Sequence, residues 1–309
     1  MPRRVLLDCD TGTDDAVAVL LAALHPDLEL LGVVATWGNA PVEVVTDNTL
    51  RVLAHVGRVD VPVFRGLAGP EAAHPAPPGA ARPGRERPLA LPASPARADE
   101  RPAVEWLVET AREVTDPLTV VATGPLSTLA AALGADPQVR EMVDELVVMG
   151  GGHAVGTVTP SAERNFWHDP VAARNVLTAG LERVVLVTAD ATSSVALTSA
   201  DADGLEALGT VAGAAAAAFL RQRLRAQVDR TATPLHDPLA VAYLLDPEVV
   251  RLRPLHVDVE TRGELTYGRS VIDVQRLADR PANALVALEA DRDRFLGVLR
   301  RTLARDEQG

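Results

Sequence analysis

The chain has 309 residues, 47% of them hydrophobic, and a net charge of −12 at pH 7, so it can bury a large core and is a poor match for a nucleic-acid backbone. It contains no lysine, which excludes a Walker-type phosphate loop and Schiff-base chemistry. Its one cysteine, Cys9, excludes an internal disulfide and a cysteine zinc cluster and reads as a packing residue between two aspartates.

The first element is a short apolar run at 5–7, read as a buried strand. Asp8, Asp10, Asp14 and Asp15 follow at once, with Gly12 in the turn, and 16–24 is apolar all round, as a buried helix is. Four carboxylates therefore sit where a strand ends and a helix begins, the edge at which open parallel sheets bind ligands. Two like charges ~4 Å apart at an effective dielectric of ~20 repel by about 4 kcal/mol. A helix N-terminus offsets roughly 0.3–1 kcal/mol of that for each nearby acid. A bound hard cation reverses the sign, since Ca²⁺ takes several carboxylate and carbonyl oxygens. The competing reading is a capped helix with solvated acids, but a cap needs one Asp and not four.

Residues 28–36 read as a second strand, ending in Trp37-Gly38-Asn39, and Pro41 opens a helix to His55. A short strand at 61–64 precedes a stretch from 66 to 101 rich in proline, glycine, alanine and arginine, without periodicity. A loop this long inside a compact domain is commonly a lid or a binding loop, and here it reads as a mobile, lid-like one. Its His74 reads as a solvated loop residue. A helix follows at 102–114, then a strand at 118–122 ending in Thr123, a helix at 127–133, and a strand at 145–148 ending at Met149. A loop carries Glu163, Arg164 and Asn165 to Asp169-Pro170, which starts a helix. A strand at 184–187 leads to a helical segment at 199–228 with a break near Gly209. His236-Asp237-Pro238 opens a helix to Leu245, two or three strands fall between 249 and 274, and a final helix is expected from about Asn283. Asp10, Asn39, Thr123 and Met149 each follow a predicted parallel strand, so residues far apart in sequence converge on one sheet edge. The alternation predicts a single α/β domain over 1–309, built around a mostly parallel sheet with helices on both faces. The N-terminal stretch turns acidic too early for a signal peptide, and the apolar run at 211–220 is too short to span a bilayer, so no membrane partner and a cytoplasmic location are expected.

The segment DCDTGTDDA at 8–16 resembles the aspartate motif of the inosine–uridine-preferring nucleoside hydrolases. Five further matches follow in order: GN at 38–39, ATGPLSTLA at 122–130, VVMGG at 147–151, VTPSAERN at 158–165 and HDPLA at 236–240. The resemblance implies hydrolysis of ribonucleosides to free base and ribose by a Ca²⁺-bound water. It implies metal ligands Asp10, Asp15, the Thr123 carbonyl and Asp237, with Asp10 as general base. It implies substrate contacts from Asp14, Asn39, Met149, Thr157, Glu163 and Asn165, with His236 as candidate proton donor to the leaving base. It also implies a homodimer or homotetramer. Each of these residues has a plainer reading: Asp237 as a helix cap, Glu163 and Asn165 as a solvated loop, His236 as a passive hydrogen-bond partner.

The chain departs from the family pattern at Thr11, where proline is usual, at Thr157, where asparagine is usual, and at Arg164, in place of an apolar residue. A His-Gly pair common in the lid is not recognisable between 66 and 101. Two other function classes fit parts of the sequence. A non-catalytic nucleoside- or ribose-binding protein would keep Asp14 and Asn165 and dispense with turnover. A haloacid-dehalogenase-type phosphatase would use Asp8 as nucleophile and Asp10 as acid, but it normally needs a lysine near the phosphate.

Overall fold

The computed structural model describes residues 1–305 apart from 72–76, 78–79, 81, 85–86, 115, 117 and 227–230. His74 and the predicted end of the 199–228 helical segment lie outside the described residues. The strands are β1 (Arg3–Cys9), β2 (Leu28–Ala35), β3 (Val63–Arg65), β4 (Leu118–Ala122), β5 (Val143–Met149), β6 (Val184–Val187), β7 (Leu197–Thr198), β8 (Ala232–Thr233), β9 (Val250–Leu255), β10 (Val257–Val259), β11 (Ser270–Ile272) and β12 (Ala284–Ala290). The helices are α1 (Thr13–Leu24), α2 (Val42–His55), α3 (Ala103–Glu113), α4 (Ser127–Ala135), α5 (Gln138–Met142), α6 (Arg164–His168), α7 (Pro170–Leu177), α8 (Ala189–Ser194), α9 (Ser199–Glu206), α10 (Val211–Ala226), α11 (Asp237–Leu245) and α12 (Arg292–Leu303).

Eight of these strands form one sheet in the order β3-β2-β1-β4-β5-β6-β12-β9. All neighbours are parallel except β12 and β9. Both faces of the sheet are covered, which is why its strands read as continuous apolar runs. Side chains alternate between two cores: Val5, Leu7 and Cys9 face one, Leu6 the other. The first core is closed by α1, α2 and α10 to α12, the second by α3, α4, α5 and α7. Helix α1 is buried from Thr13 to Ala23, in keeping with its apolar circumference.

The chain builds outward from β1 through β2 to β3, then returns to place β4 on the other side of β1. That reversal opens a crevice between the C-terminal ends of β1 and β4. Asp10 stands at one lip and Thr123 at the other. Thr123 N donates to Asp8 O at 2.8 Å and extends the β1–β4 pairing to the lip.

The C-terminal segment departs from expectation. Residues 284–290 form strand β12, and the last helix begins at Arg292, capped by the Asp291 side chain, which accepts from Arg294 N at 3.0 Å. The run ALVALEA has helix-compatible composition, but its place between β6 and β9 satisfies its backbone in the sheet, and tertiary pairing overrides propensity. The loop expected before Asp169 contains the single-turn helix α6, and α5, α8 and the β7–β8 ribbon add short elements without a period of their own. The break at Gly209 is present, with φ of +74°.

Candidate active site

The first turn of α1 places Asp14 and Asp15, and the preceding turn places Asp10. No side chain caps α1; instead Asp15 Oδ2 accepts from Gly12 N at 3.0 Å. Asn39, at the end of β2, ties these turns together. Its N donates to Asp10 Oδ2 at 2.6 Å, and its Nδ2 lies 3.2 Å from Asp10 O and 3.1 Å from Asp15 Oδ2. A Cβ on neighbouring Gly38 would sit 2.1 Å from Asp10 Oδ2, so only glycine lets the two turns approach this closely.

From β4, Thr123 Oγ1 donates to Asp15 Oδ1 at 2.9 Å. From α6, Asn165 Nδ2 donates to Thr123 O at 2.7 Å and to Met149 O at 3.2 Å. Glu163 is buried and accepts from Gly151 N, Asn165 N and Phe166 N at 2.9–3.3 Å. The solvated-loop reading of Glu163 and Asn165 therefore fails. The cap reading of Asp237 fails as well: α11 has no side-chain cap, and Asp237 faces the acids of α1.

Asp14, Asp15 and Asp237 each offer an oxygen within 4.8 Å of the others, and all three are buried. Burial raises Asp15 to about 6, helped by Asp14. Burial raises Asp237 well above the usual carboxylate range, with Asp14, Asp15 and Asp10 adding to it. Burial opposes ionisation of Asp14 most strongly, but the Arg223 guanidinium, His236 and backbone N–H donors together outweigh it and leave this carboxyl below its ordinary value. Arg223 Nη1 is 2.9 Å from Asp14 Oδ1, and its Nε donates to Pro234 O at 3.2 Å. This grouping contains Asp14, whereas the sequence reading has Asp10 in the metal set. Asp14 already has a counter-charge in Arg223, and Asp10 is close enough to push Asp237 upward.

The donor set suits a hard divalent cation. Several buried carboxylates and one backbone carbonyl converge, with oxygens of Asp14, Asp15 and Asp237 all within 4.8 Å of one another. The Thr123 carbonyl keeps a lone pair beyond the one that Asn165 uses. His236 is half-buried, with Nδ1 2.6 Å from Thr192 Oγ1. Burial, reinforced by Arg223, lowers it to about 4. The ring is thus neutral at pH 7 and could give up a proton only from Nε2–H, with Nδ1 accepting from Thr192.

A cavity of about 500 Å³ lies over this floor. Asp10, Asp14, Asn39, Thr123, Met149, Thr157, Glu163, Asn165, His236 and Asp237 all line it, and Asp15 is buried behind them. Its wall also holds Val155, Arg164, Ser193, Arg223 and Pro234. Arg223 and Thr192 were not singled out in the sequence. Arg223 lies among three alternating arginines at the end of α10, where a helix C-terminus attracts cations anyway, so no local signal marks it. Asp8 is buried, with no hydrogen-bond partner for either oxygen among the described residues, and it does not line the cavity. That position does not suit a phosphatase nucleophile.

The family described as inosine-uridine preferring nucleoside hydrolase matches residues 5–297 of the chain. The chain belongs to this family. The nucleoside hydrolase is 34% identical to the pyrimidine-specific ribonucleoside hydrolase RihA of Shigella boydii over 307 residues, 96% of each chain. It is 36% identical to an uncharacterized protein of Schizosaccharomyces pombe over 312 residues, 98% of this chain and 99% of that one. Among solved structures, a purine-preferring ribonucleoside hydrolase from Gardnerella vaginalis superposes with a TM-score of 0.85 at 29% identity, covering 98% of both chains. The plant nucleoside hydrolase PpNRh1 gives 0.86 at 28% identity, covering 98% of this chain and 99% of that one. The protein is therefore an enzyme of the N-glycosyl hydrolase class, and the phosphatase reading is withdrawn. No helix among the described residues is long and apolar enough to cross a membrane.

Proposed function

We propose that this nucleoside hydrolase cleaves the N-glycosidic bond of ribonucleosides with a bound divalent cation, Ca²⁺ by donor type, held by Asp10, Asp15, the Thr123 carbonyl and Asp237. The observation that carries the reading is the set of buried, mutually repelling acids on the floor of the cavity at the topological switch of the sheet. When bound, the cation would acidify and position a water.

The chain's own residues account for the rest. Asp10 lines the cavity, and Asn39 N fixes its Oδ2, so the carboxylate is oriented to take a proton from an attacking water as general base. Cleavage develops positive charge on the ribose, and the clustered carboxylates stabilise it. Asp14, Glu163 and Asn165, which are buried, and half-buried Asn39 present acceptors and donors to the ribose hydroxyls. A sugar lacking one hydroxyl would leave a polar group unpaired. Met149 and Thr157 complete the wall around the sugar. His236 is the candidate donor to the departing base, from its neutral form.

The test is release of free base and ribose from a panel of purine and pyrimidine ribonucleosides, with Ca²⁺ and with a chelator. At least one ribonucleoside is cleaved, and chelation stops the release. A panel with no base released in Ca²⁺ overturns the reading in favour of a non-catalytic nucleoside-binding protein.

A further inference from the structure

The described residues of the 66–101 segment, between β3 and α3, do not line the cavity. Gly84 touches the 38–39 turn directly, and Leu89 reaches the 10–12 turn through Asn48 of α2. Gly84 N donates to Gly38 O at 2.6 Å. A Cβ on Gly84 would lie 2.3 Å from Asn39 O, so the backbone of the segment rests against the backbone of the turn with no room for a side chain. A few residues on, Leu89 N donates to Asn48 Oδ1 at 2.8 Å, and Asn48 Nδ2 donates to Thr11 O at 2.8 Å. Asn48 is fully buried on α2, and Thr11 is the residue between Asp10 and Gly12. One turn further along α2, Arg51 Nη1 donates to Leu91 O at 2.7 Å and fixes the register of the segment.

We propose that Gly84, Leu89 and Leu91 act as a strap that sets the 10–12 turn and the 38–39 turn relative to each other, with Asn48 and Gly84 as positioning residues. The two turns belong to different βα units. On the cavity side they are joined through Asn39 and carboxylates that repel one another. The strap joins them a second time, through neutral amide contacts whose strength does not depend on the charge of the acids. This rests on reading the site as hydrolytic, because its consequence for turnover is the placement of Asp10 and Asn39. Misplacing a reacting group by ~1 Å costs about 100-fold in rate. Neither Asn48 nor Gly84 lines the cavity.

Three substitutions break the strap at separate points in the full chain. Gly84→Ala forces a side chain against Asn39 O. Leu89→Pro removes the N–H that orients Asn48 but leaves the bond from Asn48 to Thr11. Asn48→Asp keeps the acceptor for Leu89 and loses the donor to Thr11. With the ribonucleoside that wild type cleaves fastest, kcat falls about 10- to 100-fold in each, while KM moves by less than about threefold. Gly84→Ala and Leu89→Pro also lower the Tm, because the new Cβ meets Asn39 O and Leu89 is a buried core side chain, so kcat is compared per folded molecule at a temperature where each variant is fully folded. Hydrogen exchange adds a readout independent of turnover: amides of residues 11–13 and 38–39 exchange faster in Leu89→Pro than in wild type. Wild-type kcat in both Gly84→Ala and Leu89→Pro overturns the positioning role, as does a loss of kcat matched by loss of folded protein. Unchanged exchange in Leu89→Pro overturns the strap itself. If wild type cleaves no ribonucleoside, the hydrolytic reading falls and the exchange experiment alone decides for or against the strap.

Discussion

The two ends of strand β5 treat buried acids in opposite ways. Near its start, Glu145 is 2% exposed and is met by Arg3, Arg183 and the Tyr243 hydroxyl, the last at 2.9 Å. Arg3 stands at the start of β1 and Arg183 just before β6, so both oxygens of the carboxylate accept from the protein. Past its other end, Asp14, Asp15 and Asp237 crowd together, with Asp10 near enough to push Asp237 further up, and the ion pair formed there among the described residues joins Arg223 to Asp14. Burial of acids is common to both ends; only at the crevice does the chain withhold enough positive charge. A buried carboxylate with its counter-charge supplied is part of the scaffold. A group of them left in deficit could hold a metal ion.

The sharpest way to break this contrast is to remove an acid from the deficit. Asp10→Ala is expected to lower kcat for base release by at least about 10³-fold, with little change in Tm. Wild-type turnover in that variant would make the crevice acids as structural as Glu145. Next in size is the response to the ion. Ca²⁺ at a hundredfold excess over Kd is expected to stabilise the fold by about 3 kcal/mol, read as a rise in Tm. Asp237→Asn removes that rise, whereas Glu145→Gln keeps it; a rise retained in Asp237→Asn would move the ion elsewhere.

His168 separates charge deficit from burial alone. It donates from Nδ1 to Ala80 O at 2.7 Å, and its buried Nε2 has no partner among the described residues. Burial lowers its pKa from 6.5 to about 4, with Arg164 adding to the effect. Between those values the unfolded chain holds a proton that the folded chain does not, so stability falls as pH drops from about 6.5 to about 4. The full loss is about 3 kcal/mol. The slope of Tm against pH in this window should flatten in His168→Gln, and an unchanged slope would assign the acid sensitivity to other groups.

The smallest expected effect belongs to the paired end. Glu145→Gln keeps the shape and loses the charge, and it should cost about 2 kcal/mol in denaturant unfolding while kcat and KM per folded molecule stay at wild-type values. Arg3 and Arg183 are 35% and 47% exposed, so both can turn to water when the charge is lost, which keeps the cost modest.

Much of this contrast was legible in the sequence at the crevice and little of it at the paired end. The acids of 8–15 stand out because a strand signal, a turn glycine and a helix signal follow one another within a few residues. Asn39, Thr123 and Met149 could be placed beside them because each ends a strand of a parallel sheet. Glu145, Arg3 and Arg183 carry no such signal, since a charged residue at a strand end reads as solvated until the neighbouring strands are known. Strand β12 was misread as helix for a related reason: its composition suits either state, and its partners β6 and β9 decide.

Local order in the chain thus determined the β1–α1 unit, the alternation that makes the sheet parallel, and the residues that reach its C-terminal edge, because hydrophobic period and turn chemistry act over a few residues. Tertiary structure alone decided that Arg223 neutralises Asp14, that Thr192 holds His236, and that Asn48 links Thr11 to Leu89. Those contacts join separate elements, and their geometry exists only after the helices have packed on the sheet; no spacing along the chain encodes it.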